Sequence, residues 1–142
     1  MKRDSIKTNI VRFANLGSDE SRGHYISVSA HGKLSLAPSN DASSGSYWQL
    51  VDEGDSYLLF NEGSSKEKGW YLNNEEGGNA TIKEKFDTSS HWGILNLGDH
   101  VNMEGHVLIQ NITTGKYLSV NDRGEISLEE KVRPGSKWRI ER

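Results

Sequence analysis

The sequence predicts an all-β domain of twelve short strands, closed from three copies of one four-stranded unit. Three observations carry this. Gly23, Gly69 and Gly115 are spaced 46 residues apart, and Tyr25, Tyr71 and Tyr117 follow at the same interval. Each unit opens on an alternating strand closed by asparagine: "VRFAN" to Asn15, "YLLFN" to Asn61 and "VLIQN" to Asn111. Each unit ends on Ser-x-Trp, at Trp48, Trp92 and Trp138. A repeat of this length is the first thing to seek, because one such unit cannot cover its own apolar face and must share a core with its neighbours. Propellers use repeats of similar length but need about four to eight blades to close. Three units closing on a pseudo-threefold axis predict a β-trefoil, a six-stranded barrel capped by three hairpins.

The elements follow in order within each unit. The opening strand has period-2 alternation, and its asparagine ties down the next turn by side-chain hydrogen bonds to the backbone. A variable loop comes next, "LGSDESR" (16–22), "EGSSKEK" (62–68) or the shorter "ITT" (112–114). Then Gly-x-Tyr-[Ile/Leu] begins a hairpin whose return strands include "KLSLA" (33–37) and "EISLE" (125–129). Gly32, Gly78 and Gly124 sit at its turn, where a positive φ is needed. A second variable stretch leads to Ser-x-Trp. The units span about 10–56, 57–105 and 106–142, with an insertion at 96–105 between the second and third. Ile26, Val28, Leu72, Leu118 and Val120 alternate into the barrel, and the three tryptophans plug it.

Composition narrows the function. The chain has 142 residues, net charge -3 and no cysteine. That balance lacks the basic footprint of a nucleic-acid binder, and without thiols there is neither disulfide nor thiolate chemistry. No run of about 20 apolar residues predicts membrane insertion. The start, "MKRDSIKTNIVRF", has no apolar stretch of signal-peptide length, so the expectation is a cytoplasmic or non-classically secreted protein. No catalytic spacing is recognisable, so no enzyme and no cofactor are expected. Asp99, His100, Glu104 and His106 around the insertion are too loosely spaced to predict a metal site. Asn79 and Asn111 begin formal glycosylation sequons, the second at a repeat position that structure already explains.

Positions shared by the units are structural, and function is expected where the units differ. Trp70 stands where the other units carry His24 and Lys116, so it is expected to be partly exposed at the start of its strand. Asn73, Asn74, Glu75 and Glu76 follow it. An aromatic face beside amides and carboxylates suits a sugar, whose C–H face covers the ring while its hydroxyls take the hydrogen bonds. Trp70, Asn73, Asn74 and Glu75 are therefore the first candidate pocket. Asn121 and Asp122, at the hairpin tip of the third unit, are the second. The bland alternative has Trp70 packing across the loop at 62–68.

The segment 108–141, "LIQNITTGKYLSVNDRGEISLEEKVRPGSKWRIE", resembles one subdomain of the ricin-B-type β-trefoil lectins, and the looser match of the first two units extends the resemblance over nearly the whole chain. It implies a non-catalytic carbohydrate-binding lectin with up to three pockets, glycans or glycoconjugates as partners, and an oligomeric state that is either monomeric or a homo-oligomer. Three departures stand out. The family's Gln-x-Trp is Ser-x-Trp here, its sugar-binding aspartate falls on Ser27, Asn73 and Ser119, and its stacking aromatic falls on Ala37, Lys83 and Glu129. The alternative is a protein-binding trefoil, since the chain is also similar to fungal protease inhibitors and to actin-bundling fascins, whose Gly-x-Tyr-Leu rhythm it shares.

Overall fold

The computed structural model describes residues 10–17, 23–38, 40, 43–65, 67, 69–75, 78–96 and 106–141. Four strands come from each unit. The first gives β1 (Ile10–Asn15), β2 (Tyr25–Val28), β3 (Leu34–Ala37) and β4 (Trp48–Asp52). The second gives β5 (Tyr57–Asn61), β6 (Tyr71–Asn74), β7 (Ala80–Lys83) and β8 (Trp92–Asn96). The third gives β9 (His106–Asn111), β10 (Tyr117–Val120), β11 (Ile126–Glu129) and β12 (Trp138–Glu141).

Antiparallel pairing runs β1–β4–β5–β8–β9–β12 and returns from β12 to β1, which closes a six-stranded barrel. Closure removes the open edges that a flat sheet would expose. The remaining strands form three hairpins, β2–β3, β6–β7 and β10–β11, each joined to the barrel by one residue pair. The return strands of the hairpins, β3, β7 and β11, meet around the pseudo-threefold axis. This is the β-trefoil that the repeat predicts.

The core holds Val11, Phe13, Ile26, Leu59, Leu72, Ile109 and Leu118 around Trp48, Trp92 and Trp138. Each tryptophan is almost completely buried, and each indole N–H donates to the carbonyl of the hairpin's second residue, at 2.9–3.0 Å: Ile26, Leu72 and Leu118. A buried indole needs that acceptor. The unit's last strand is thereby latched to its hairpin in all three places.

The repeat asparagines form a second set of latches. Asn15, Asn61 and Asn111 donate from Nδ2 to the carbonyls of Gly135, Gly45 and Ser89, each at 2.9 Å. Their Oδ1 atoms accept from the backbone N–H of Gly17, Gly63 and Thr113. Every asparagine thus stitches the start of one unit to the short 3-10 turn that closes the unit before it, and Asn15 does so around the ring. Asn111 is fully buried with both ends of its amide bonded, whereas Asn79 is exposed.

The hairpin turns repeat as well. Gly32, Gly78 and Gly124 have φ of 78°, 94° and 77° and donate to Ser29, Glu75 and Asn121 carbonyls. A side chain in that left-handed region would be strained, and glycine is not.

Candidate functional site

Trp70 is half-buried, one residue before β6, where its N–H donates to the Lys83 carbonyl and its own carbonyl accepts from Asn61 N–H. Its indole packs on Phe60, with centroids 5.8 Å apart and a tilt of 33°. Phe60 in turn meets Tyr71 edge-on at 5.4 Å. Tyr71 meets Phe86 at 5.3 Å, and Phe86 meets His91 at 6.1 Å. Five rings therefore form one continuous row on the outside of the second unit. Phe86 is 49 % exposed and the other four are half-buried. The offset and edge-to-face contacts are those that ring quadrupoles favour.

Pairing explains how the row forms. Phe60 on β5 is the one residue of its strand in register with Tyr71 on β6. The turn after β7 carries Phe86 back beside Tyr71, and His91 N δ1 is held 3.2 Å from the Ser56 hydroxyl. Sequence reasoning found Trp70 and missed Phe60, Phe86 and His91. The signal was available across the units: Phe60 aligns with Ala14 and Gln110, and His91 with Tyr47 and Lys137.

Beside the row lies a cleft of about 650 Å³ on the outer face of the β6–β7 hairpin, walled by Glu75, Thr81, Lys83, Asp87 and Ser89. Tyr71 pairs with Lys83, and Asn73 pairs with Thr81. Directly opposed residues share a sheet face, so the tyrosine ring, the lysine and the cleft stand on one surface. Lys83 Nζ binds Asp87 Oδ2 across the cleft. That bond, with the Ser89 N–H on the other carboxylate oxygen, holds the Asp87 carboxyl below its ordinary value.

The candidate residues occupy different roles. Trp70 does not line the cleft with Asn73, Asn74 and Glu75 and belongs to the ring row instead. Asn73 is only 3 % exposed and forms part of the cleft floor, where its Oδ1 accepts from the buried Ser90 hydroxyl at 2.9 Å. Asn74 alternates inward at the position that Val28 and Val120 hold in the other units. Its amide donates to the Glu75 carbonyl and accepts from the Thr114 hydroxyl, joining the second unit to the third. Both amides are thus engaged in holding the hairpin. Glu75 is exposed at the tip.

In the third unit, Asn121 Oδ1 accepts from Arg123 and Glu125 N–H, so this residue builds its own turn, as the Ser29 hydroxyl does in the first unit. Asp122 is exposed on a cleft of about 330 Å³ with Glu129 and Arg133. This cleft is the smaller of the two. At Gly135 a Cβ would lie 2.1 Å from the Val120 carbonyl oxygen, and at Gly45 it would lie 2.4 Å from that of Val28, so both turns press onto their hairpins. The equivalent residue in the second unit is Ser89, whose side chain requires more room.

A third hollow, about 820 Å³, opens on the pseudo-threefold axis between the hairpins, with Lys33, Asn79 and Glu125 at its rim and Ser35, Thr81 and Ser127 inside. Among the described residues no three side chains gather as a metal site. Asp99, His100 and Glu104 lie outside the described residues.

No family model and no curated protein matches this sequence. Solved structures do match. The designed threefold-symmetric protein ThreeFoil is 16 % identical with a TM-score of 0.71, over 94 % of this chain and 99 % of that one. The ricin B-like lectin of Macrolepiota procera, solved with lactose, is 17 % identical with a TM-score of 0.68, over 94 % of each chain. A proteinase inhibitor from Coprinopsis cinerea is 10 % identical with a TM-score of 0.73, over 94 % of this chain and 97 % of that one. At such identities the likeness establishes the fold, which serves more than one function.

Proposed function

We propose that this protein is a carbohydrate-binding module without catalytic activity, and that its working site is on the second unit. One observation carries the reading. The polar cleft and the aromatic row share a hairpin face in that unit, while the other two units replace Phe60 and Trp70 by Ala14 and His24 or by Gln110 and Lys116. Sugar hydroxyls can exchange hydrogen bonds in both directions with Thr81 and Ser89, accept from Lys83 and donate to Asp87, and an apolar sugar face covers a ring. The lactose-bound lectin among the structural neighbours supports the same ligand class. A glycan array on the purified protein tests it. Binding is expected, and Lys83→Ala or Thr81→Val should weaken it about tenfold, the loss of roughly one net hydrogen bond to a charged or polar group. A silent array contradicts the proposal.

The second reading is a protein-binding trefoil. It is favoured by the exposure of Phe86, Leu95 and Ile112, large apolar side chains on or next to the second unit. The inhibitor among the neighbours shows that this fold presents surfaces to proteins as well. A silent array together with protease inhibition, or with co-sedimentation on filaments, would establish this reading in place of the first.

A further inference from the structure

The ring row extends well beyond the cleft, and its shape specifies more than a sugar site. From Trp70 through Phe60 and Tyr71 to Phe86, the contacts run 5.8, 5.4 and 5.3 Å, one ring wide throughout. The rings are not required to close the fold, since the first and third units close with alanine or glutamine at the Phe60 position. They are not sealed either, because Phe86 is half exposed and the others remain partly open. A folded protein partner needs about 800 Å² on each side for a stable complex. A single row of mostly half-buried rings offers far less, so its width fits a narrow chain.

Resting on the carbohydrate reading, we infer that the ligand is an extended oligosaccharide and not a lone terminal sugar. One end unit sits in the cleft between Lys83, Asp87 and Ser89. The following units cross Tyr71, which pairs with Lys83 at the cleft's edge, and reach the Trp70–Phe60 facet. There the two rings lie nearest to parallel, offset and tilted by 33° with centroids 5.8 Å apart, where the neighbouring pairs cross at 72° and 73°. The open part of an offset-stacked ring suits the C–H face of a pyranose, and crossed rings suit a step between two units. An indole offers a single polar atom, its N–H, so Trp70 itself contributes stacking and little hydroxyl readout. Specificity then resides in the cleft, and chain length is read by the rings.

Titration calorimetry with chito-, cello- and galacto-oligosaccharides, from monosaccharide to hexasaccharide, tests this. In the series that binds, affinity should rise at least about tenfold from the monosaccharide to the tetrasaccharide. Trp70→Ala should abolish that rise, lowering tetrasaccharide affinity at least several-fold more than monosaccharide affinity. Trp70→Phe, which keeps a ring, should restore most of it. Affinity independent of length, or a Trp70→Ala variant that loses mono- and tetrasaccharide equally, would overturn the inference and leave the cleft as a sugar site. Absence of binding to every length, with a silent array, would overturn both readings together.

Discussion

The same tyrosine of the repeat is closed over in the first unit and left open in the second. Tyr25 has the Arg12 guanidinium 3.5 Å above its ring, and its hydroxyl donates to Glu141 at 2.6 Å. Arg139 holds the other oxygen of that carboxylate, and Tyr47 also lies near Arg12. Tyr25 is buried as a result. Tyr71 occupies the equivalent place, paired to its barrel strand in the same register, but its neighbours are Phe60 and Phe86. It stays half exposed. One wall seals the seam where the first strand meets the last, and the other presents a ring surface to solvent. The scaffold sets the position of a residue, and its non-repeated neighbours decide whether that position is structure or surface.

The largest expected effect separates the two kinds of tryptophan. Trp92→Ala removes a fully buried indole and its bond to the Leu72 carbonyl, and should cost about 3–5 kcal/mol in a urea unfolding curve. That is a large part of the roughly 5–15 kcal/mol by which a domain is stable. Trp70→Ala, in the same unit, should cost about 1 kcal/mol or less because its ring is partly solvated already. Equal losses for the two would erase the distinction between latch and surface.

A smaller effect tests the sealed wall. Tyr25→Phe keeps the ring under Arg12 and removes the bond to Glu141, for about 1 kcal/mol near neutral pH. The bond to Glu141 raises Tyr25 above 10.0, so its contribution is present below that value and is lost as pH rises through the folded-state value. Burial pulls the Glu141 carboxyl upward, but Tyr25 and Arg139 together outweigh it and hold the group below 4.5. Its contribution is therefore present above 4.5 and disappears as pH falls through the lower folded value. The difference in melting temperature between Tyr25→Phe and the unaltered protein should plateau between those limits and shrink at both ends. A difference independent of pH would mean that the hydroxyl bond does not hold the wall.

What the sequence made legible follows from the same division. The barrel, the hairpin turns and the asparagine and tryptophan latches occur three times each, so a single chain displays its own alignment. Asn74 is polar, yet its alternation with Leu72 and its alignment with Val28 and Val120 put it on the inward face. Asn73 and Ser90 lie 17 residues apart in the chain, and their contact beneath the cleft is set by the hairpin and the 3-10 turn that folds against it. Ser119 and Ser136 make the matching contact in the third unit. The ring row was mostly illegible. Its members lie at 60, 70, 71, 86 and 91, a spacing with no period, and only strand register and the turn after β7 bring them together.

The claim that the working surface belongs to the second unit is tested most directly by backbone amide NMR during titration with the saccharide that an array selects. Shifts confined to residues 57–91, strongest around Tyr71, Thr81, Lys83 and Ser89, with the equivalent amides at 25, 35, 37, 45, 117, 127, 129 and 135 unmoved, are what this account predicts. Three equivalent sets of shifting amides, or shifts at Ser35 and Ser127 matching that at Thr81 around the axial hollow, would contradict it.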